Sequence, residues 1–112
     1  MQRGEIWLVN LDPTIGSEIR KKHPAVIVSS DLVGILPLKV IVPFTEWKIR
    51  YNQASWMVRV DPDERNGLSK SSAVDALQIR SVSQQRLVQK LGVLSSIQVE
   101  KIVQAVMKVL QR

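Results

Sequence analysis

Between residues 5 and 93 the chain alternates short, β-branched apolar runs with clusters of turn formers, and no long helical pattern separates them. Residues 5–10 (EIWLVN) alternate like a strand and stop at Asp12-Pro13 and Gly16. Residues 24–30 (PAVIVSS) and 38–44 (LKVIVPF) are continuous apolar runs of the kind that strands buried on both faces show, with Gly34 and Pro37 between them. Residues 55–60 (SWMVRV) read as a further strand that ends in the turn-rich Asp61-Pro62-Asp63-Glu64-Arg65-Asn66-Gly67, which reads as solvated. Residues 71–77 suggest another strand, residues 83–87 a short helical turn, and residues 88–93 a last short strand. In the tail, Ser95 and Gln98 have capping-box spacing, and Val99, Ile102, Val103, Val106 and Leu110 recur at helical intervals. Strands this close together leave no room for crossover helices. The expected fold is α+β but mostly β: a small antiparallel, barrel-like sheet with the C-terminal helix packed on it, in a single domain over residues 1–112.

The chain has no cysteine, which rules out disulfides, thiolate metal sites and a cysteine nucleophile. No apolar run approaches the roughly 20 residues that span a bilayer, so a cytoplasmic protein without a membrane partner is expected. Sixteen Lys and Arg against ten Asp and Glu give a net charge of +6, a balance that favours polyanions such as nucleic acid. The cations are also concentrated: Arg20, Lys21, Lys22 and His23 are contiguous in a loop-like stretch.

Cleaving RNA requires a group that holds the scissile phosphate, one that takes the 2′-hydroxyl proton, and one that protonates the departing 5′-oxygen. RNA supplies its own nucleophile, so acid–base groups and positive charge suffice without a metal. His23 is the only histidine, the side chain that titrates nearest neutrality, and it adjoins the basic run. A lone histidine is more often a bland surface or partly buried residue, so its chemistry alone does not settle the role. Glu46-Trp47-Lys48, with Asp31 as a second carboxylate, has a spacing found in metal-dependent nucleases, though such short patterns are common by chance. Asp61, Asp63 and Glu64 read as a turn rather than a cation site. Trp47 and Tyr51 fall in a loop and are candidates for stacking on unpaired bases, whereas Trp7 and Trp56 lie in expected strands and read as core.

Several blocks of the chain, in order, resemble the MazF/PemK family of bacterial toxins. They are Arg3-Gly4-Glu5-Ile6-Trp7, Asn10-Leu11-Asp12-Pro13, Gly16-Ser17-Glu18, His23-Pro24-Ala25-Val26-Ile27-Val28-Ser29 and Val40-Ile41-Val42-Pro43-Phe44-Thr45. Gly67-Leu68-Ser69-Lys70-Ser71-Ser72-Ala73-Val74, Gln78-Ile79-Arg80 and Arg86-Leu87 follow. The resemblance implies a homodimeric, sequence-specific endoribonuclease that cuts single-stranded RNA without metal or other cofactor, through a cyclic phosphate and a 5′-hydroxyl end. It also implies a cognate antitoxin partner whose flexible segment occupies the RNA groove.

Carried over residue by residue, the resemblance makes Thr45 the strand-end catalytic threonine and puts Ser17, Glu18, Gln78 and Arg80 at the RNA site. Arg20, Lys21 and Lys22 supply charge beside it, and Trp47 offers a base platform. The sequence departs from the family where an arginine precedes the proline of the second strand, because His23 stands there. Either His23 serves as general acid or base while the neighbouring cations stabilise the phosphorane, or the site is weakened. Two other functions remain open: a non-enzymatic toxin of the related CcdB type that poisons gyrase, and a metal-dependent nuclease built on Asp31, Glu46 and Lys48.

Overall fold

The computed structural model describes residues 1–13, 16, 22–33 and 36–111. Among them the order is β1 (Glu5–Asn10), β2 (Lys22–Ile27), β3 (Leu38–Glu46), β4 (Met57–Val60), β5 (Ser72–Asp75), β6 (Arg80–Ser83), β7 (Leu87–Val93) and α1 (Ser96–Leu110). All strand pairings are antiparallel. Across the sheet the strands run β4-β5-β3-β2-β1-β7, with β6 also on β3. The sheet is open, ending at β4 and β7, so the expected barrel is realised only loosely.

β6 was not anticipated from the sequence, and β5 is shorter than the expected 71–77 strand. Both lie along the same edge of β3: Phe44 faces Val74 on β5, and Ile41 faces Arg80 on β6. They amount to one strand interrupted by a 3-10 turn at Ala76–Gln78, which begins where the Asp75 side chain accepts from the Leu77 N–H. Pro43, which has no N–H to give a ladder, sits beside this interruption, where that lack costs least.

Both faces of the central strands are buried, which accounts for the continuous apolar runs in β2 and β3. One core joins Ile6, Val26, Val42, Phe44, Val60 and Val74 to Val99, Ile102, Ala105 and Val106 of α1. On the opposite face Val9, Leu11, Ala25, Ile27, Ile41, Val82 and Leu87 form a second cluster, with Trp7 against it. The two sets alternate along β2 and β3, as the two-residue period of a strand requires.

The helix starts as the sequence suggested. Ser95 Oγ accepts from Gln98 N–H at 3.2 Å, and Gln98 Oε1 accepts from Ser95 N–H at 3.0 Å. Trp56 corrects another expectation: it lies in the turn before β4 and is 37% exposed rather than core. Among the described residues no helix is long and apolar enough to cross a membrane.

Candidate active site

β2 and β3 pair Ala25 with Pro43 and Val26 with Val42. His23 and Thr45 each lie two residues beyond the Ala25–Pro43 pair, toward the same end of the two strands. Both side chains line one open cleft of about 300 Å³, with Pro24 and Phe44 at its apolar base. His23 and Thr45 are half-buried, each near the end of a strand whose inner residues are fully buried. The sheet therefore fixes their backbone while their polar atoms stay open to the cleft.

The facing wall is the segment 67–72, with Leu91 of β7 behind it. It offers three hydroxyls, from Ser69, Ser71 and Ser72, and the ammonium of Lys70. This wall follows the stretch that reads as a solvated turn in the sequence; residues 61–65 and Gly67 are indeed exposed, and the exception is Asn66, which is fully buried. Asn66 Nδ2 donates to the Asp61 carbonyl at 2.8 Å, and its Oδ1 accepts from the N–H groups of Asp63 and Leu68 at 3.2 and 3.0 Å. Gly67 follows at φ +69°, and a Cβ there would lie 2.0 Å from the Leu91 carbonyl oxygen. Glycine is needed both for that backbone conformation and for the close approach. A side-chain clamp and a glycine thus press the wall onto β7.

A polar chain ties the wall to the end of β3. Ser71 Oγ donates to Asp61 Oδ1 at 2.6 Å, and Arg59 Nε donates to the same oxygen at 3.0 Å. The Ser71 hydrogen bond, followed by that of Arg59, holds the Asp61 carboxyl below the usual carboxylate range. The Arg59 guanidinium also lies 5.2 Å from the centroid of the Trp47 ring, and Tyr51 meets that ring edge-on at 5.8 Å. The Trp47 backbone N–H donates to the Ser71 carbonyl at 3.1 Å, which anchors that residue's backbone at the rim.

The sequence-derived site residues divide accordingly. His23 and Thr45 come together in the cleft. Trp47 is held just beyond Thr45. Lys22 is exposed at the start of β2, opposite Asn10 and outside the cleft lining. Gln78 and Arg80 also lie outside that lining. Arg80 faces Ile41, four residues along β3 from Thr45 or roughly 13 Å at strand spacing. Gln78 Nε2 donates to Asp75 Oδ2 at 2.9 Å. Ser17, Glu18, Arg20 and Lys21 lie outside the described residues.

The proposed metal trio does not assemble. Asp31 accepts from the Arg3 N–H at 2.8 Å near the opposite end of β3 from Glu46. Among the described residues no group of three or more His, Cys, Asp or Glu is placed to hold a metal ion. Sequence reasoning overlooked Ser69, Lys70, Ser71 and Ser72 as cleft residues, and considered Glu46 only as a metal ligand. The available signal was a hydroxyl-rich, basic run directly after a turn glycine.

Residues 2–110 match the model of a family described as PemK-like, MazF-like toxin of type II toxin-antitoxin system. The chain belongs to that toxin family. Endoribonuclease MazF9 of Mycobacterium tuberculosis (strain ATCC 25618 / H37Rv) is 32% identical over 117 residues, an alignment covering 94% of this chain and 92% of the relative. The fold of this PemK/MazF-family chain is similar to that of MazF from Deinococcus radiodurans, at a TM-score of 0.80 and 20% identity, covering 98% of this chain and 96% of that one. It is also similar to an endoribonuclease in complex with its cognate antitoxin from Mycobacterial species, at a TM-score of 0.77 and 21% identity, covering 98% and 94% of the two chains. The family match and the fold agree with the ordered motifs of the sequence.

Proposed function

We propose that this PemK/MazF-family chain is an endoribonuclease that cuts single-stranded RNA at specific sequences, with His23 and Thr45 as its catalytic residues. The observation that carries this reading is the register of β2 and β3. It brings the one histidine and the strand-end threonine to the same end of the paired strands, where both line a cleft whose other wall is hydroxyl-rich and basic. A relative 32% identical over nearly its whole length is named an endoribonuclease, which supports the activity.

In the proposed reaction, His23 accepts the proton of a ribose 2′-hydroxyl. The freed 2′-oxygen bonds to phosphorus while the P–O5′ bond breaks. The departing 5′-oxygen takes a proton from water, and the imidazolium returns its own to solvent. The products are a 2′,3′-cyclic phosphate and a 5′-hydroxyl end. Thr45 donates its hydroxyl to a phosphate oxygen, and nearby cations stabilise the extra negative charge of the phosphorane. Arginine is a poor proton shuttle because it stays charged, so a histidine in this position performs acid–base work that an arginine performs badly. No step calls for a metal ion.

Trp47 stacks on an unpaired base beside the scissile phosphate, while Lys22, with Arg20, Lys21, Ser17 and Glu18, extends the RNA site. Gln78 and Arg80 contact the strand farther along β3. A second copy of the chain and an acidic, partly disordered antitoxin complete the cytoplasmic complex. A net charge of +6 favours such an acidic partner.

The test is incubation of the purified protein with a long single-stranded RNA in excess chelator, followed by mapping of the ends. Discrete cuts bearing 5′-hydroxyls are expected. An intact strand, both in chelator and with added magnesium, would overturn the reading.

A further inference from the structure

Lys70 stands on the wall that faces His23 and Thr45, and among the described cleft-lining residues it is the one lysine or arginine. Its backbone is well anchored, lying between the buried Asn66 clamp and the Ser72–Glu46 pairing of β5 with β3. Its side chain, in contrast, is 68% exposed. Among the described residues it forms an ion pair with Glu46, with Nζ and Oε1 4.0 Å apart and the Glu46 side chain 64% exposed. Glu46 directly follows Thr45 and also lines the cleft.

An ion pair this long, with both ends in water, is weak and screened by salt. A phosphodiester entering the cleft offers Lys70 a stronger acceptor. A lysine, as a mobile point charge on a flexible stem, can follow that phosphate without a fixed fork geometry.

We infer that Lys70 is the phosphate-holding residue of the cleft wall and that Glu46 is an internal competitor for it, displaced as the nucleic acid strand enters. The inference rests on the RNA-cleaving reading above. It adds a binding role for a lysine outside the basic run at residues 20–23, and it makes the residue after the catalytic threonine a brake on polyanion binding. Removing the brake should tighten binding, which a purely structural Glu46–Lys70 pair would not do.

The probe is a single-stranded RNA containing a cut site mapped with the parent protein and 2′-O-methylated throughout, so that it binds without supplying a nucleophile. Its affinity is measured over a salt series for the parent, Lys70→Ala, Lys70→Arg and Glu46→Gln, each first checked for unchanged thermal unfolding. Lys70→Ala should weaken binding several-fold and make the slope of log K against log salt shallower by about 0.7, the loss of one phosphate contact on a single strand. Lys70→Arg should keep the parent slope, and Glu46→Gln should tighten binding.

Parent-like affinity and slope in Lys70→Ala, a weakening with no change of slope, or weaker binding by Glu46→Gln would each overturn the assignment while leaving the RNA reading intact. A parent protein that neither cuts nor binds any single strand would overturn the RNA reading, and this inference with it.

Discussion

Gly92 is packed so tightly against Asn66 that a Cβ on the glycine would lie 2.4 Å from the Asn66 carbonyl carbon. It would also lie 2.3 Å from the Arg65 carbonyl oxygen. Both obstacles are backbone, so no rotamer change relieves them. The Val93 N–H donates to the same Arg65 carbonyl at 2.9 Å, which closes the loop onto β7.

Gly92→Ala is therefore expected to push residues 65–67 off β7 and tilt the whole cleft wall. The cost in stability should be about 2–3 kcal/mol, the range for a backbone-displacing overpacking. Cleavage should fall by more than the unfolded fraction explains, because the wall moves even in molecules that stay folded. Urea unfolding paired with an activity assay at a temperature where the variant is folded checks both effects. An alanine variant as stable and active as the parent would mean the wall does not depend on this contact.

The charge beneath β1 makes a separate prediction. Burial pushes the Glu5 carboxyl up, but hydrogen bonds from the Trp7 indole, the Gln2 backbone and Lys90 outweigh it and hold the group at about 2, down from an ordinary 4.5. Trp7 Nε1 donates at 2.9 Å, and Lys90 Nζ lies 3.3 Å from the second oxygen. Because the folded value is depressed, ionised Glu5 stabilises the fold fully above pH 4.5, and this contribution is lost as pH falls toward 2.

Glu5→Gln should accordingly cost on the order of 1–2 kcal/mol at neutral pH, a figure kept modest because Lys90 is half-exposed. The gap between variant and parent should shrink as the pH is lowered from 4.5 toward 2. Thermal unfolding of both proteins over that window measures it, and a gap that stays constant or widens would contradict this account of the charge.

How much of this was legible beforehand differs from element to element, for physical reasons. β2 and β3 could be read because burial on both faces writes a continuous apolar run into the sequence. The capping box of α1 could be read because it is local, with both partners within four residues. β6 could not be read: of Arg80–Ser83 only Val82 is buried, and the 3-10 turn that separates it from β5 destroys the periodicity. Trp56 was misjudged because a large aromatic before a β-branched run looks like a strand residue, whereas the strand begins one position later.

The cleft was legible only in part. The motifs nominate His23 and Thr45 separately, but that they share one cleft depends on a strand pairing no local pattern carries. Asn66 looks like an ordinary turn residue until Gly92, far along the chain, is seen to bury it. The resemblance grouped Gln78 and Arg80 with His23 and Thr45, whereas Arg80 pairs with Ile41, four residues along β3 from Thr45, and Gln78 sits in the turn before β6.

Thr45 is where hydroxyl chemistry can be separated from packing. It pairs with Ala73 in the β3–β5 ladder through backbone groups that any residue provides. Thr45→Val keeps the branched shape and removes the donor, so the fold should survive. Its kcat should fall by about 100-fold, the scale for losing one preorganised donor to a developing oxyanion. Thr45→Ser should retain most of the activity. Steady-state kinetics on a short RNA bearing one cut site separates the terms. A valine variant that changes KM alone would assign Thr45 to binding rather than to the transition state.

The most direct test of the central claim is the cleavage rate of His23→Ala on a single-stranded RNA that the parent cuts, in excess chelator, with unfolding curves recorded for both proteins. The alanine variant is predicted to unfold like the parent and to leave the RNA intact at times when the parent has cut it completely. Parent-like cleavage by folded His23→Ala would contradict the assignment of acid–base chemistry to this cleft.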